Sequence, residues 1–157
     1  MAALPPAAAR WRPPARESES GWSIGQLVGH IAGARLYFAS AYRGDGWLYP
    51  ELPFQADDQA TWLPHLEATA AEFRRRLEGT PDAWLARRVE LIDTPDSVSG
   101  WRVLMLMIEH EVAHRSQIDA YAGLEGWPVP PIFGRTFEDV QALQAQERQR
   151  RARRGEA

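Results

Sequence analysis

Apolar residues recur every three or four positions between residues 24 and 41, which is the spacing of an amphipathic helix. The recurring positions are Ile24, Leu27, Ile31, Ala34, Phe38 and Ala41. Ser23 stands where a helix N-cap is favoured, and Gly44 stands where the helix is expected to end. Because Gly29 and Gly33 lack side chains, another helix can approach this one closely.

A second helix is predicted from Asp57 or Asp58 to about Glu78. Its apolar stripe consists of Trp62, Leu66, Phe73 and Leu77. The two aspartates suit the positive N-terminal end of a helix dipole, and Gly-Thr-Pro at 79–81 stops the helix. Between residues 82 and 100, the segment RVELID predicts a short strand or an extended crossover, and DTPDSVSG predicts a loop.

A third helix is predicted to begin near Ser99 and to end near Gly123, before a proline-rich stretch. Its buried stripe is expected to contain Val103, Met107, His110, His114, Ile118 and Tyr121. A terminal helix is predicted at about 136–153. These elements predict an all-α fold, an up-and-down helical bundle.

The first 21 residues have a different composition from the rest and are rich in proline, alanine and arginine. The pairs Pro5-Pro6 and Pro13-Pro14 preclude a continuous helix, so an extended or loosely packed arm is predicted. The predicted division is an N-terminal arm at 1–21, a metal-binding bundle at 22–135, and a C-terminal helix and tail at 136–157.

Composition narrows the chemistry of this chain of 157 residues. Its net charge of −3 does not favour nucleic acid as a partner, and the five arginines between 148 and 154 suit the C-terminus of a helix. The sequence contains no stretch of about 18 apolar residues, so no membrane-spanning helix is predicted. The chain has no cysteine, so a metal site must use histidine and carboxylate. A cytoplasmic protein is expected, because no signal-peptide pattern is found and cysteine is absent.

His110 and His114 lie four residues apart, so their side chains share one face of the third helix, with Cβ atoms roughly 6 Å apart. Since the apolar stripe continues on both sides, the pair is predicted to point into the bundle. Two buried imidazoles without a partner would be costly, which favours a shared metal ion over a solvated polar face. His30, on the flank of the first helix's stripe, is the candidate third ligand, and His65 is expected to face a loop or the surface.

The string HEVAH also satisfies HExxH, in which a glutamate, here Glu111, acts as the base of a zinc peptidase. Glu111 is rotated about 100° from His110 on a helix, so it can instead lie at the bundle edge or beside a ligand. No histidine follows His114 as a downstream ligand. A peptidase is therefore the weaker interpretation.

The segments WSIGQLVGHIAG and IEHEVAHRSQIDAYAGLEGWPVPPIFG together resemble the DinB/YfiT-like family of metal-dependent bundle proteins. The resemblance covers roughly residues 11–140. The matching positions are Trp22, Ser23, Ile24, His30, His110, His114, Arg115, Gln117 and Ile118. It implies a four-helix bundle with a three-histidine site for a divalent metal, often zinc or nickel. It also implies a homodimer and, in characterised relatives, S-transferases that use bacillithiol, mycothiol or glutathione.

The chain departs from the family pattern at its N-terminal end. The family has a full helix before the Trp-Arg-Pro segment, whereas about ten residues precede Trp11 here. A shortened or missing first helix is therefore expected. The apolar surface that such a helix would bury is expected to be covered by the terminal helix or by a second subunit.

The leading functional hypothesis is a metal-dependent transferase that activates a low-molecular-weight thiol for attack on an electrophile. His30, His110 and His114 would hold zinc or nickel, and one coordination position would stay open. Glu111 and Arg115 are the candidate catalytic helpers: the first would orient a histidine ring, and the second would attract a carboxylate. The alternatives are a non-catalytic, stress-linked metal-binding module and a metal-dependent hydrolase.

Overall fold

Four α-helices dominate the computed structural model, which describes residues 4–14, 21–51, 54–129 and 134–155. The helices are α1 (Ile24–Arg43), α2 (Trp62–Leu77), α3 (Gly100–Leu124) and α4 (Phe137–Arg154). The predicted all-α fold is confirmed. One short antiparallel pair joins α2 to α3, formed by β1 (Arg88–Glu90) and β2 (Ser97–Ser99). The segment predicted as a loop therefore contains β2, which is held by pairing with β1.

Helix α1 is the central element, because it packs against both α2 and α3. Every residue of its predicted apolar stripe is buried. A capping box fixes its start: the hydroxyl of Ser23 accepts from the backbone N–H of Gln26, and the Gln26 side chain accepts from the N–H of Ser23. Gly44 ends the helix in the left-handed conformation, at φ 87°.

The two ends of α1 pack into separate parts of the core. Around its N-terminal half lie Leu4, Ala8, Ala9, Ile24, Leu27, Val28, Ile31, Trp62, Ile118 and Ala122. Around its C-terminal half lie Ala34, Phe38, Ala41, Tyr42, Val89 and Val103. The histidines of interest lie on helices that both parts of the core hold in place.

Residues 4–11 of the N-terminal arm pack against the core, so the prediction of an extended or loosely packed arm is wrong for this part of it. A 3-10 helix spans Pro6–Arg10, and the side chains of Leu4, Ala8 and Ala9 are buried in the core. Proline is unfavourable inside a helix but is favoured in the first turn, and Pro6 stands in the first turn of this one. Residues 1–3 and 15–20 lie outside the described residues, and the predicted domain boundaries stay predictions.

Helix α2 begins at Trp62, several residues after the predicted start. A short 3-10 helix at Gln59–Thr61 precedes it, with the Asp58 carboxylate accepting from the N–H of Ala60. Proline at position 64 then falls in the first turn, where its missing N–H is tolerated.

Helix α4 matches the predicted terminal helix, and Thr136 caps its start. None of its side chains is buried, so it does not cover the apolar surface of the bundle in this structure. Four apolar side chains on one face of α3 remain exposed: Trp101, Met105, Ile108 and Val112. Within the described ranges, none of the helices is both long enough and apolar enough to cross a membrane.

Candidate metal centre

Three histidines from two helices meet at one point beside α1. His30 comes from α1, and His110 and His114 come from α3. One ring nitrogen from each lies within 4.8 Å of the others, and the Nε2 atoms of His30 and His110 are 3.0 Å apart. All three rings are half-buried. The packing of α1 against α3 thus brings together the three predicted ligands.

The donor set fits a divalent metal ion. Two ligand nitrogens on a tetrahedral ion, each about 2.0–2.1 Å from it, lie roughly 3.4 Å apart, which is close to the observed separation of the Nε2 atoms. Without an ion or a shared proton, the lone pairs of these two atoms would repel each other. A set of three imidazoles suits zinc, nickel and other first-row ions. The three histidines can hold such an ion.

Burial favours the neutral, metal-binding form of His30 and of His110. Burial, followed by the charges of His110 and His114, lowers the pKa of His30 from 6.5 to about 4. Burial and His114 also lower the pKa of His110, while Glu111 acts in the opposite direction. At neutral pH each of these two rings carries only one proton. One nitrogen of each ring is therefore free to bind an ion without first losing a proton.

His114 is oriented by a hydrogen-bonded pair of side chains from the next turn of α3. Its Nδ1 lies 3.1 Å from Oε1 of Gln117, and the Gln117 amide donates to the hydroxyl of Tyr121 at 2.7 Å. With Nδ1–H donating to Gln117, Nε2 is the atom that His114 can offer to an ion. Such outer hydrogen bonds fix the tautomer and the ring orientation of metal-binding histidines.

Aromatic rings surround the three imidazoles. Trp22 packs edge-on against His30, with centroids 4.3 Å apart, and stacks beside His114 at 6.0 Å. Tyr49 lies nearly parallel to the His30 ring, and its hydroxyl donates to the His30 carbonyl. Phe38 covers His110 from the other side. The apolar rings therefore border the three imidazoles on several sides, although Trp22 is itself 43% exposed.

A cleft of about 460 Å³ opens beside His30, and we call it the histidine cleft. Helix α1 supplies Gln26, Gly29, His30 and Gly33, and the other lining residues are Trp22, Tyr49, Pro50, Phe54, Ala56 and His65. His65 is half-buried and stacks on Phe54, with centroids 4.6 Å apart. Burial lowers its pKa. His65 thus faces the loop between α1 and α2, as expected, and through Phe54 it also lines this cleft, which the sequence did not predict.

Glu111 and Arg115 line a different cavity, of about 220 Å³, between α1, α2 and α3. Both oxygens of Glu111 accept from the Arg35 guanidinium, at 2.6 and 2.9 Å, and Arg35 also donates to the carbonyl of Leu66. Neither Glu111 nor Arg115 is among the residues that line the histidine cleft. Their catalytic roles stay predictions.

Sequence reasoning did not identify Arg35. The one feature of the sequence that could have indicated it is the positive side chain of Arg35 within the small and apolar residues of α1. In the structure Arg35 joins α1 to α2 and α3, because it bonds both Leu66 and Glu111.

Comparison with known proteins agrees with the fold. The model of the DinB superfamily matches residues 1–118, most of the chain. The structure is similar to the crystal structure of a DinB-like protein from Bacillus subtilis, with a TM-score of 0.57 and 18% sequence identity over 83% of this chain and 84% of that chain. No curated protein was found to match the sequence. On the evidence of the family model, the chain belongs to the DinB superfamily.

Proposed function

We propose that the protein is a metal-dependent transferase that activates a low-molecular-weight thiol at His30, His110 and His114. The proposal rests on the convergence of these three half-buried rings, one of which, His30, lines the open histidine cleft. Three protein ligands leave a coordination position vacant, which is typical of catalytic rather than structural sites. A divalent ion, zinc or nickel, would supply the positive charge that lowers the pKa of a thiol.

The residues of the chain then have distinct tasks. His30 and His110 are neutral at pH 7 and would hold the ion together with His114, while Gln117 and Tyr121 keep the His114 ring in position. The rings of Trp22 and Phe38 form apolar walls against His30 and His110. The thiol proton passes to solvent, the sulfur bonds to a carbon of the electrophile, and the bond from that carbon to its leaving group breaks with both electrons.

Glu111 and Arg115 enter this proposal as positioning residues. Glu111 lies beside His110 in the chain and is clamped by Arg35, so it can set the rotation of α3 that presents His110 to α1. The exposed Arg115 stands at the second cavity, where it can attract a carboxylate of a passing substrate.

The test is thiol consumption by protein loaded with zinc or nickel, using monochlorobimane as a generic electrophile. Glutathione, bacillithiol and mycothiol should each be assayed, with the metal-free protein and His30→Ala as comparisons. We expect a metal-dependent rate with at least one thiol, and its loss in His30→Ala. Metal binding without turnover with any thiol would refute the transferase and favour the non-catalytic binding module.

Hydrolysis is the weaker alternative. A hydrolase of the HExxH type needs a free glutamate as its base, and both oxygens of Glu111 are engaged by Arg35. Turnover of an ester or an amide without added thiol would nevertheless support hydrolysis, and the same loaded protein can be assayed for it.

We also propose that the protein forms a homodimer in which α4 of each copy covers the exposed apolar face of α3 in the other. The α3 face consists of Trp101, Met105, Ile108 and Val112, which follow one another at helical spacing. Helix α4 carries exposed apolar side chains of its own, Phe137, Val140 and Leu143. Helices in proteins take most of their stability from packing of an apolar face, and α4 has no buried side chain until a partner covers it.

A further inference from the structure

We propose that Trp11 of the N-terminal arm is a positioning residue for the metal site, because its ring holds the Tyr121–Gln117 pair against His114. The inference rests on the three-histidine site of the proposed function, but not on the thiol reaction. It gives the short arm a task at a site to which it contributes no ligand.

Three successive contacts lead from the arm to the metal site. The Trp11 ring lies against the Tyr121 ring, with centroids 5.1 Å apart and an interplanar angle of 53°. The Tyr121 hydroxyl accepts from the Gln117 amide at 2.7 Å, and Oε1 of Gln117 lies 3.1 Å from Nδ1 of His114. We call this series, Trp11–Tyr121–Gln117–His114, the arm contacts.

The orientation of the Gln117 amide decides which nitrogen of His114 carries the proton. If the amide oxygen faces the ring, Nδ1 donates to it and Nε2 is free for an ion; if the NH₂ group faces the ring, Nδ1 must accept and the proton lies on Nε2. In the observed arrangement the Tyr121 hydroxyl accepts from the NH₂ group, which turns the amide oxygen toward His114. The position of the Tyr121 ring therefore matters for the ligand atom.

Trp11 can fix that ring because Trp11 is itself anchored. Its backbone N–H donates to the carbonyl of Ala8, which is buried in the core, and its carbonyl accepts from the N–H of Ile24 at 3.2 Å. Trp127 packs edge-on against its ring, with centroids 6.2 Å apart. Since Ile24 is the first residue of α1, Trp11 joins the helix that carries His30 to the helix that carries the other two ligands.

The tautomer of His114 in metal-free protein tests the inference directly. Nitrogen-15 NMR distinguishes protonated from unprotonated ring nitrogens, and His114→Ala identifies the signals. Spectra are recorded at about pH 9, well above the ordinary pKa of histidine. We expect only the Nδ1–H form in the unmodified protein. Tyr121→Phe removes only the hydroxyl and Trp11→Leu removes the flat ring, so each should give a mixture of both tautomers. Trp11→Phe keeps an aromatic face and should restore the single form.

Zinc affinity, measured by competition with a chromophoric chelator, is the second readout. Tyr121→Phe should weaken binding about tenfold, as is usual for changes next to the hydrogen bonds of metal-binding histidines. Trp11→Leu should weaken it roughly three- to tenfold, the effect of losing one aromatic pair. In a protein that already carries Tyr121→Phe, Trp11→Leu should add little, because the series of contacts is already broken.

Trp84→Leu is the matched control. Both tryptophans are partly buried and pack against the core, Trp11 against the part around the N-terminal half of α1 and Trp84 against the other part. Trp84 packs against Tyr42. Its loss should therefore lower the urea midpoint, as Trp11→Leu does, while the His114 tautomer and the zinc affinity stay unchanged.

A single His114 tautomer and an unchanged zinc affinity in Trp11→Leu would overturn the inference, and so would an equal loss of affinity in Trp84→Leu. If Trp11→Leu folds only in part, all variants are measured in sucrose, which favours the folded state. Tyr121→Phe opens no cavity, and unchanged values there would be equally decisive against the inference.

The inference and the transferase can fail separately, because neither readout requires a thiol. Both expected changes in Trp11→Leu, without thiol turnover by the unmodified protein, would uphold the inference and count against the transferase. Thiol turnover by the unmodified protein, with both readouts unchanged in Trp11→Leu, would do the reverse.

Discussion

Replacing Gly25 with alanine should destabilise the fold, because the carbonyl of Ala56 lies where the new methyl group would be. A Cβ atom at this position would be 2.0 Å from the Ala56 oxygen and 3.0 Å from the Ala9 oxygen. Contacts below 3.0 Å essentially do not occur, so the backbone must move by about 1 Å on the first contact alone. Overpacking of this kind costs about 1–3 kcal/mol, and the obstructing atoms are backbone rather than a flexible side chain.

Gly123→Ala is the matched control. Nothing lies within 4 Å of a Cβ atom at this position, which is in the last turn of α3. Alanine is favoured over glycine in a helix by about 0.5–1 kcal/mol, so Gly123→Ala should stabilise the protein. The same substitution thus changes the free energy of unfolding in opposite directions at the two positions. The two variants should differ in this free energy by about 2–4 kcal/mol.

Urea unfolding followed by circular dichroism measures both effects. With a slope of about 1–3 kcal/mol per molar urea, the two midpoints should differ by about 0.7 M or more. Equal midpoints for the two variants would show that α1 does not approach the segment before α2 as closely as described, and would refute the reasoning.

Further predictions concern the site and the assembly. Alanine at any one of the three metal-site histidines should abolish stoichiometric zinc binding measured by calorimetry, whereas His65→Ala should retain it; retained binding in all four variants would place the metal elsewhere. In metal-free protein, His30 takes up a proton near pH 6.5 in the unfolded chain and only near about 4 in the folded protein, so the contribution of His30 to the free energy of unfolding should fall as the pH is lowered from 7 to 4. His30→Ala should reduce that slope in urea titrations, and an identical slope would contradict it. A double-mutant cycle with Arg35→Met and Glu111→Gln should show coupling of about 1–3 kcal/mol, since the pair is bidentate but its side chains are 15% and 35% exposed; coupling near zero would remove its positioning role. Ile108→Glu should shift the mass measured by light scattering from dimer to monomer, and a protein that is monomeric before the change would refute the proposed dimer.

Sequence alone determined the features that depend on neighbours along the chain. The periodic stripe of α1 and the capping residues Ser23 and Thr136 are local, because helix geometry and cap hydrogen bonds join residues only three or four positions apart. The pairing of His110 with His114 is local for the same reason. These features were enough to predict the helices and two thirds of the ligand set.

Only the tertiary structure decided which groups meet across helices. His30 reaches the other two histidines, and Arg35 reaches Glu111, because of the rotation and separation of α1 and α3, which no spacing along one helix encodes. The arm is packed because its few apolar side chains find a core, although its proline pairs suggest loose chain. His65 likewise reaches the cleft through a contact with Phe54, since contacts between distant segments depend on packing and not on periodicity.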